Sequence, residues 1–166
     1  MIWLKLKKLE TKLINNEISE KTSFQYLLAY LIFLAVAMSL PNEEKFSAWG
    51  WEAGDLLLGL IITIVGTYSV FSINSKGDNR DFVKRYLSLS FVNGLRLVLL
   101  ALLLELFYKV VMFIIPLEQW HFFNDLLSGD LPALLYSIVL SLAFYWLLIR
   151  SFLRVNESRY VRYGTL

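Results

Sequence analysis

The sequence predicts an all-α integral membrane protein, a four-helix bundle preceded by an N-terminal amphipathic interfacial helix. Three observations lead to this fold class: four long apolar segments, basic residues that alternate from loop to loop, and an unusual composition. Of the 166 residues, 57% are hydrophobic and 18% are charged, whereas soluble domains contain about 45–50% apolar and about 25% charged residues. At this length we expect one domain, residues 1–166.

The four predicted membrane spans cover approximately residues 24–40, 56–73, 87–115 and 132–149. A helix needs about 20 mostly apolar residues to cross the roughly 30 Å of hydrocarbon in a bilayer, and each segment approaches or exceeds this length. The first, second and fourth segments contain no charged residue. Hydropathy therefore predicts four transmembrane helices.

The basic residues predict the orientation. Thirteen of the 16 lie in residues 1–22, in the loop between the second and third spans, or in the tail 150–166. The two other loops contain a single basic residue, Lys45. Because basic loops remain on the cytoplasmic side, we expect both termini to be cytoplasmic and the protein to lie in the plasma membrane, of the bacterial inner-membrane type.

Residues 1–22 show the pattern of an amphipathic helix. Ile2, Leu6, Leu9 and Leu13 recur at helical spacing, with lysines between them. Such a helix can lie on the inner leaflet, where lysines meet anionic headgroups. The alternative is that the same apolar face docks on the other cytoplasmic segments. The surface helix is the prediction, and anionic inner-leaflet lipids are its predicted partners.

The third span differs from the others because it contains three charged residues, Arg96, Glu105 and Lys109, together with the amide of Asn93. Glu105 and Lys109 are spaced i, i+4 and share a helix face, whereas Arg96 and Glu105 face opposite sides. One interpretation is structural: the charges reach headgroups or bond neighbouring helices. The other is a polar pathway for a solute or an ion, since charges inside a membrane are costly and frequently functional.

Small residues recur at helical spacing in two spans. The second span contains Gly59, Thr63 and Gly66, and the fourth contains Ala133, Ser137 and Ser141. Small side chains let membrane helices approach closely. These faces are predicted to close the bundle, with contacts between subunits as the alternative.

The predicted cytoplasmic loop between the second and third spans has the most distinctive polar sequence. Acidic and basic residues alternate in it: Asp78, Arg80, Asp81, Lys84 and Arg85. Its asparagines and its glycine indicate a turn that leads into a helix. The functional alternative is a docking site for a cytoplasmic protein partner or for lipid headgroups.

No motif in the sequence indicates catalysis, a metal site or a cofactor. There is no cysteine and only one histidine, and no glycine-rich phosphate loop or hydrolase motif occurs. We therefore expect a non-enzymatic membrane protein without nucleic-acid binding that acts by assembly, as a homo-oligomeric sensor, scaffold or regulated pore. A membrane component of a stress or phage-defence system is one such role, by analogy. The alternative is a small-solute or ion carrier that uses the charges of the third span.

Overall fold

A computed structural model describes residues 2, 4–39, 49–77, 79–114 and 129–163. Within these residues the chain forms five helices. They are α1 (Leu6–Ile14), α2 (Glu20–Ser39), α3 (Trp49–Lys76), α4 (Phe82–Ile114) and α5 (Asp130–Tyr163). The all-helical class predicted from the sequence is confirmed.

Three of these helices, α3, α4 and α5, are long and apolar enough to cross a membrane. Over the most apolar 18-residue window of each helix, the mean hydropathy is 2.2, 2.1 and 2.0, respectively. Helix α2 coincides with the first predicted span but is not among the three. The predicted ends of that span and of the third span, Leu40 and Ile115, lie outside the described residues. The structure thus supports a helical membrane protein, and the fourth span stays a prediction.

Local residues explain where two of the helices begin. The main-chain N–H of Thr22 lies 3.3 Å from the Ser19 hydroxyl oxygen, so Ser19 caps the first turn of α2. Asn79 and Asp81, just before α4, adopt left-handed φ angles of 51° and 49°. Asparagine and aspartate tolerate this conformation better than most residues, and the turn brings the start of α4 beside the end of α3.

Four long helices alternate in direction, and their closest packing links α3 with α5, α5 with α4, and α4 with α2. Helices α3 and α5 both run toward the same end of the protein, where α2 and α4 begin. We call this the basic end, defined by residues 4–29, 66–77, 82–95 and 144–157. Helix α1 lies there, against α4 and α5.

The hydrophobic core lies at the basic end. Its buried apolar residues include Leu9, Tyr26, Val70, Leu89, Val92, Leu148, Phe152 and Val155. In contrast, only 11% of the most apolar window of α3, 33% of that of α4 and 11% of that of α5 is buried. The 33 residues of α4 extend about 50 Å, which exceeds a hydrocarbon thickness of about 30 Å. The helices therefore pack tightly at one end and leave most of their apolar length uncovered.

Helix α1 differs from the expected surface helix. Leu6, Leu9 and Leu13 are buried in the core, so the apolar face that we expected to meet the inner leaflet contacts α4 and α5 instead. The docked alternative describes this arrangement. Helix α1 docks there because α4 and α5 are long enough to present an apolar surface at the basic end.

Candidate functional site: a buried polar network at the basic end

Polar side chains are buried among the apolar residues of the basic end. They come from α1, α3, α4 and α5, and comprise Glu10, Asn74, Arg85, Ser88, Ser90, Asn93, Ser151 and Asn156, with Ser23 from α2. A buried polar group is costly without a hydrogen bond, so the partners of these residues determine how the helix ends fit together.

Arg85 is the centre of the first part of this network and is only 1% exposed. Its Nη1 donates to Asn74 Oδ1 at 2.9 Å and to Asn156 Oδ1 at 3.4 Å. The Asn156 amide nitrogen in turn donates to the Ile73 carbonyl at 2.8 Å. One guanidinium on α4 thereby joins the ends of α3 and α5.

A glycine makes room for this junction. A Cβ at Gly77 would lie 2.6–3.0 Å from the amide atoms of Asn156, which is too close for a relaxed contact. The turn between α3 and α4 therefore approaches α5 as closely as it does because residue 77 has no side chain.

The second part of the network joins α4, α5 and α1. Asn93 Nδ2 donates to Ser151 Oγ at 3.1 Å, and Ser151 Oγ donates to the Leu147 carbonyl at 2.9 Å. Arg154 donates to Ser151 Oγ at 3.2 Å and holds the Glu10 carboxylate through Nε and Nη2, at 2.6–3.1 Å. Within the described part of the chain, the side-chain oxygen of Asn93 is buried without a hydrogen-bond partner.

The main-chain atoms of Ile2 are held by a side chain from α2. The Tyr26 hydroxyl accepts a hydrogen bond from the Ile2 N–H and donates one to the Ile2 carbonyl, both at 2.9 Å. Together with the Glu10–Arg154 pair, this contact fastens the middle of α1 and the segment that precedes it.

Hydroxyl groups from α3, α4 and α5 meet at Thr67. Thr67 Oγ1 lies 3.3 Å from the Tyr86 hydroxyl and 3.2 Å from the Tyr145 hydroxyl. The Tyr145 ring also covers the adjacent Gly66, so closely that a Cβ there would collide with it. Gly66 thus packs as a small residue between α3 and α5.

The other predicted small residues have different surroundings. A Cβ at Gly59 would meet nothing within 4 Å, and Thr63 is exposed. Ala133, Ser137 and Ser141 are half-buried. Among the residues that the structure describes, those packed on the predicted small-residue face of α3 cover only its Gly66 end.

Glu105 and Lys109 form an ion pair, with Oε1 and Nζ 2.8 Å apart, and their side chains are 56% and 69% exposed. Arg96 is also exposed, whereas Asn93 is buried. The four polar residues of the third span therefore do not form one polar face.

The contacts between helices give the positions of these charges along the neighbouring helices. Asn93 lies level with Ser151 of the antiparallel α5, so Glu105, about 18 Å further along α4, is level with Val139, near the middle of the predicted span 132–149. When the count is continued to α3 through the Asn156–Ile73 contact, Lys109 is level with the first two turns of α3. Arg96 and Glu105 are nine residues, or about 14 Å, apart along α4.

Residues of the predicted docking loop are divided between the surface and the core. Arg80 and Asp81 are exposed, whereas Arg85 is in the buried network described above. Lys84 Nζ lies 2.7 Å from Glu20 Oε1 and 3.7 Å from Asp81 Oδ1. Asp78 lies outside the described residues.

Eight members of the network were not predicted as site residues from the sequence: Glu10, Ser23, Asn74, Ser88, Ser90, Ser151, Arg154 and Asn156. A signal was present, because all eight are polar residues within or beside amphipathic or apolar helical segments. The sequence does not indicate which of these residues contact one another, because partners such as Glu10 and Arg154 are separated by 144 positions.

The arrangement of the network is that of a structural clamp. Within the described ranges no group of three or more histidine, cysteine, aspartate or glutamate residues could hold a metal ion. The partners of Arg85, Asn93 and Arg154 hold helices in register, which buried polar contacts do well when they are satisfied. No family model, curated protein or solved structure matches this chain.

Proposed function

We propose that this chain is a four-span protein of the bacterial inner membrane, with both termini in the cytoplasm, which acts without catalysis by assembling with further copies of itself. The observation that carries the proposal is the uneven burial. The basic end has a packed core and a buried polar clamp, whereas α3, α4 and α5 leave most of their apolar windows uncovered.

The uncovered part of α3 suits contact with another protein helix. Helices in lipid associate through close packing of small residues, because lipid tails are as apolar as leucine. Among the described ranges, no atom lies within 4 Å of a Cβ built on Gly59, and Thr63 is exposed. A second copy placed against this face would bring two helices into close contact, with the basic end as the rigid base of each protomer.

The separation of the charges gives the assembly more support than the carrier. A carrier needs polar groups along a continuous path, whereas Arg96 and the Glu105–Lys109 pair are about 14 Å apart along α4, and Asn93 beside Arg96 is buried in the clamp. A regulated pore, if the assembly forms one, would lie between protomers. Its lining would then come from faces that the single chain leaves uncovered.

The topology can be tested by labelling. The chain contains no cysteine, so single cysteines report without background. Cysteine at Ser47 or Ser128 should react with a membrane-impermeant thiol reagent in intact cells, whereas cysteine at Ser75 or Ser158 should react only after lysis. Labelling in the reverse pattern would overturn the orientation, and labelling of Ser47 and Ser75 from the same side would overturn the four-span count.

The assembly can be tested by mass measurement in lipid nanodiscs or mild detergent. We expect the full chain to form an oligomer of defined mass, and Gly59→Leu to shift it toward the monomer, because a large side chain separates the two helices. Val65→Leu is the control, since Val65 is also exposed but lies on another face of α3. A monomer for the natural sequence, or equal masses for both variants, would contradict the proposal.

A further inference from the structure

A groove at the basic end lies between the first turns of α2 and α4. Its volume is about 460 Å³. Helix α2 contributes Glu20, Ser23, Phe24 and Leu27 to its walls. Helix α4 contributes Phe82, Val83, Lys84 and Leu87, and Asp81 lies just before that helix. Of the buried polar residues described above, only Ser23 borders this space, and its hydroxyl donates to the Ser19 carbonyl, so the clamp does not explain the groove.

The lining of the groove changes from charged to apolar along the helix axes. Lys84 stands between two carboxylates, 2.7 Å from Glu20 and 3.7 Å from Asp81. Beside these charges, Phe24 and Val83 are 61% and 66% exposed. Exposed apolar side chains next to an ion cluster are expected where a protein meets the boundary between headgroups and acyl chains.

The charges favour one class of ligand. Two carboxylates and one ammonium leave an excess negative charge, which attracts a cation, while Lys84 can still donate to an anion. We propose that the groove binds a phospholipid whose headgroup carries a primary amine. The amine donates to Glu20 and Asp81, the phosphate accepts from Lys84, and an acyl chain lies along Phe24, Leu27 and Leu87.

This inference requires the chain to lie in a bilayer, but it does not depend on the assembly proposed above. A monomer can bind such a lipid, and an oligomer can fail to bind it. The two proposals therefore fail through different measurements.

The test uses the purified full chain in nanodiscs of phosphatidylcholine alone, or with a minor fraction of phosphatidylethanolamine or phosphatidylglycerol. We expect phosphatidylethanolamine to raise the thermal unfolding midpoint above that in the other two lipids, and to stay bound in native mass spectrometry. Equal effects of phosphatidylethanolamine and phosphatidylcholine would overturn the proposal, since a quaternary ammonium cannot donate a hydrogen bond. A larger effect of phosphatidylglycerol would also overturn it.

Variants identify the groove as the site. Glu20→Gln and Lys84→Gln should each abolish the phosphatidylethanolamine effect, whereas Lys21→Gln, which removes a neighbouring exposed charge outside the groove, should retain it. The Glu20 side chain is 86% exposed, so Glu20→Gln should fold even if Lys84→Gln does not. Retention of the effect in Glu20→Gln would place the lipid elsewhere and overturn the proposal.

Discussion

Arg154 on α5 holds Glu10 on α1 through two nitrogens, although 144 positions separate them in the sequence. The two ends of the pair differ in environment, because the Glu10 side chain is 7% exposed and the Arg154 side chain is 45% exposed. The contact therefore joins a buried carboxylate to a half-exposed guanidinium, so the loss of either partner should affect stability differently.

Arg154→Leu should destabilise the protein more than Glu10→Leu. Loss of the arginine leaves a buried charge without its partner, which costs about 3–5 kcal/mol for a fully buried pair, whereas loss of the glutamate leaves an arginine that water can solvate. The double variant should be no less stable than Arg154→Leu alone. Unfolding midpoints from circular dichroism in one detergent measure this, and equal effects of the two single variants would contradict the asymmetry.

The Arg85 junction predicts a large loss of stability. Arg85→Met removes the donor to Asn74 Oδ1 and Asn156 Oδ1, and each buried acceptor left without a partner costs about 1–3 kcal/mol. Arg80→Met is the control, because it removes the same charge from an exposed position just before α4. Comparable unfolding midpoints for the two variants would mean that Arg85 does not organise the junction.

Two glycines of α3 should respond oppositely to the same substitution. Gly66→Ala places a methyl group where the Tyr145 ring lies, so the ring must move and its contact with Thr67 weakens. Gly54→Ala meets nothing within 4 Å and should be neutral or stabilising by up to about 1 kcal/mol, since alanine favours helices. The measurement is the unfolding midpoint of each variant, and a Gly66→Ala protein as stable as Gly54→Ala would contradict the packing of α3 on α5.

The ion pair of α4 should make a small contribution to stability. Because Lys109 is level with the first two turns of α3, its long side chain can reach the headgroups without Glu105. We expect Glu105→Leu and the double variant each to change stability by about 1 kcal/mol or less, against about 2.5–3.5 kcal/mol for a charge at the centre of a membrane. A loss near the larger value in Glu105→Leu, measured as the unfolding midpoint, would place Lys109 deep in the bilayer and favour the carrier.

The sequence by itself determined the helical class, three of the four predicted apolar helices and the segments where charge accumulates. These are local properties: hydropathy over about 20 residues reflects the thickness of a bilayer, and a predicted span such as 56–73 falls within α3 without knowledge of any other helix. The position of Glu105 one turn before Lys109 likewise predicted their i, i+4 pairing.

Only the tertiary structure decided which polar residues meet. Arg85 looked like a surface charge of a loop, yet it is buried between Asn74 and Asn156, and Leu9 of α1 lies in the core and not on a leaflet. These outcomes depend on the register between helices far apart in sequence. That register is set by contacts such as Asn93–Ser151 and by close approach at Gly66 and Gly77, and the periodicity of a single helix contains no information about them.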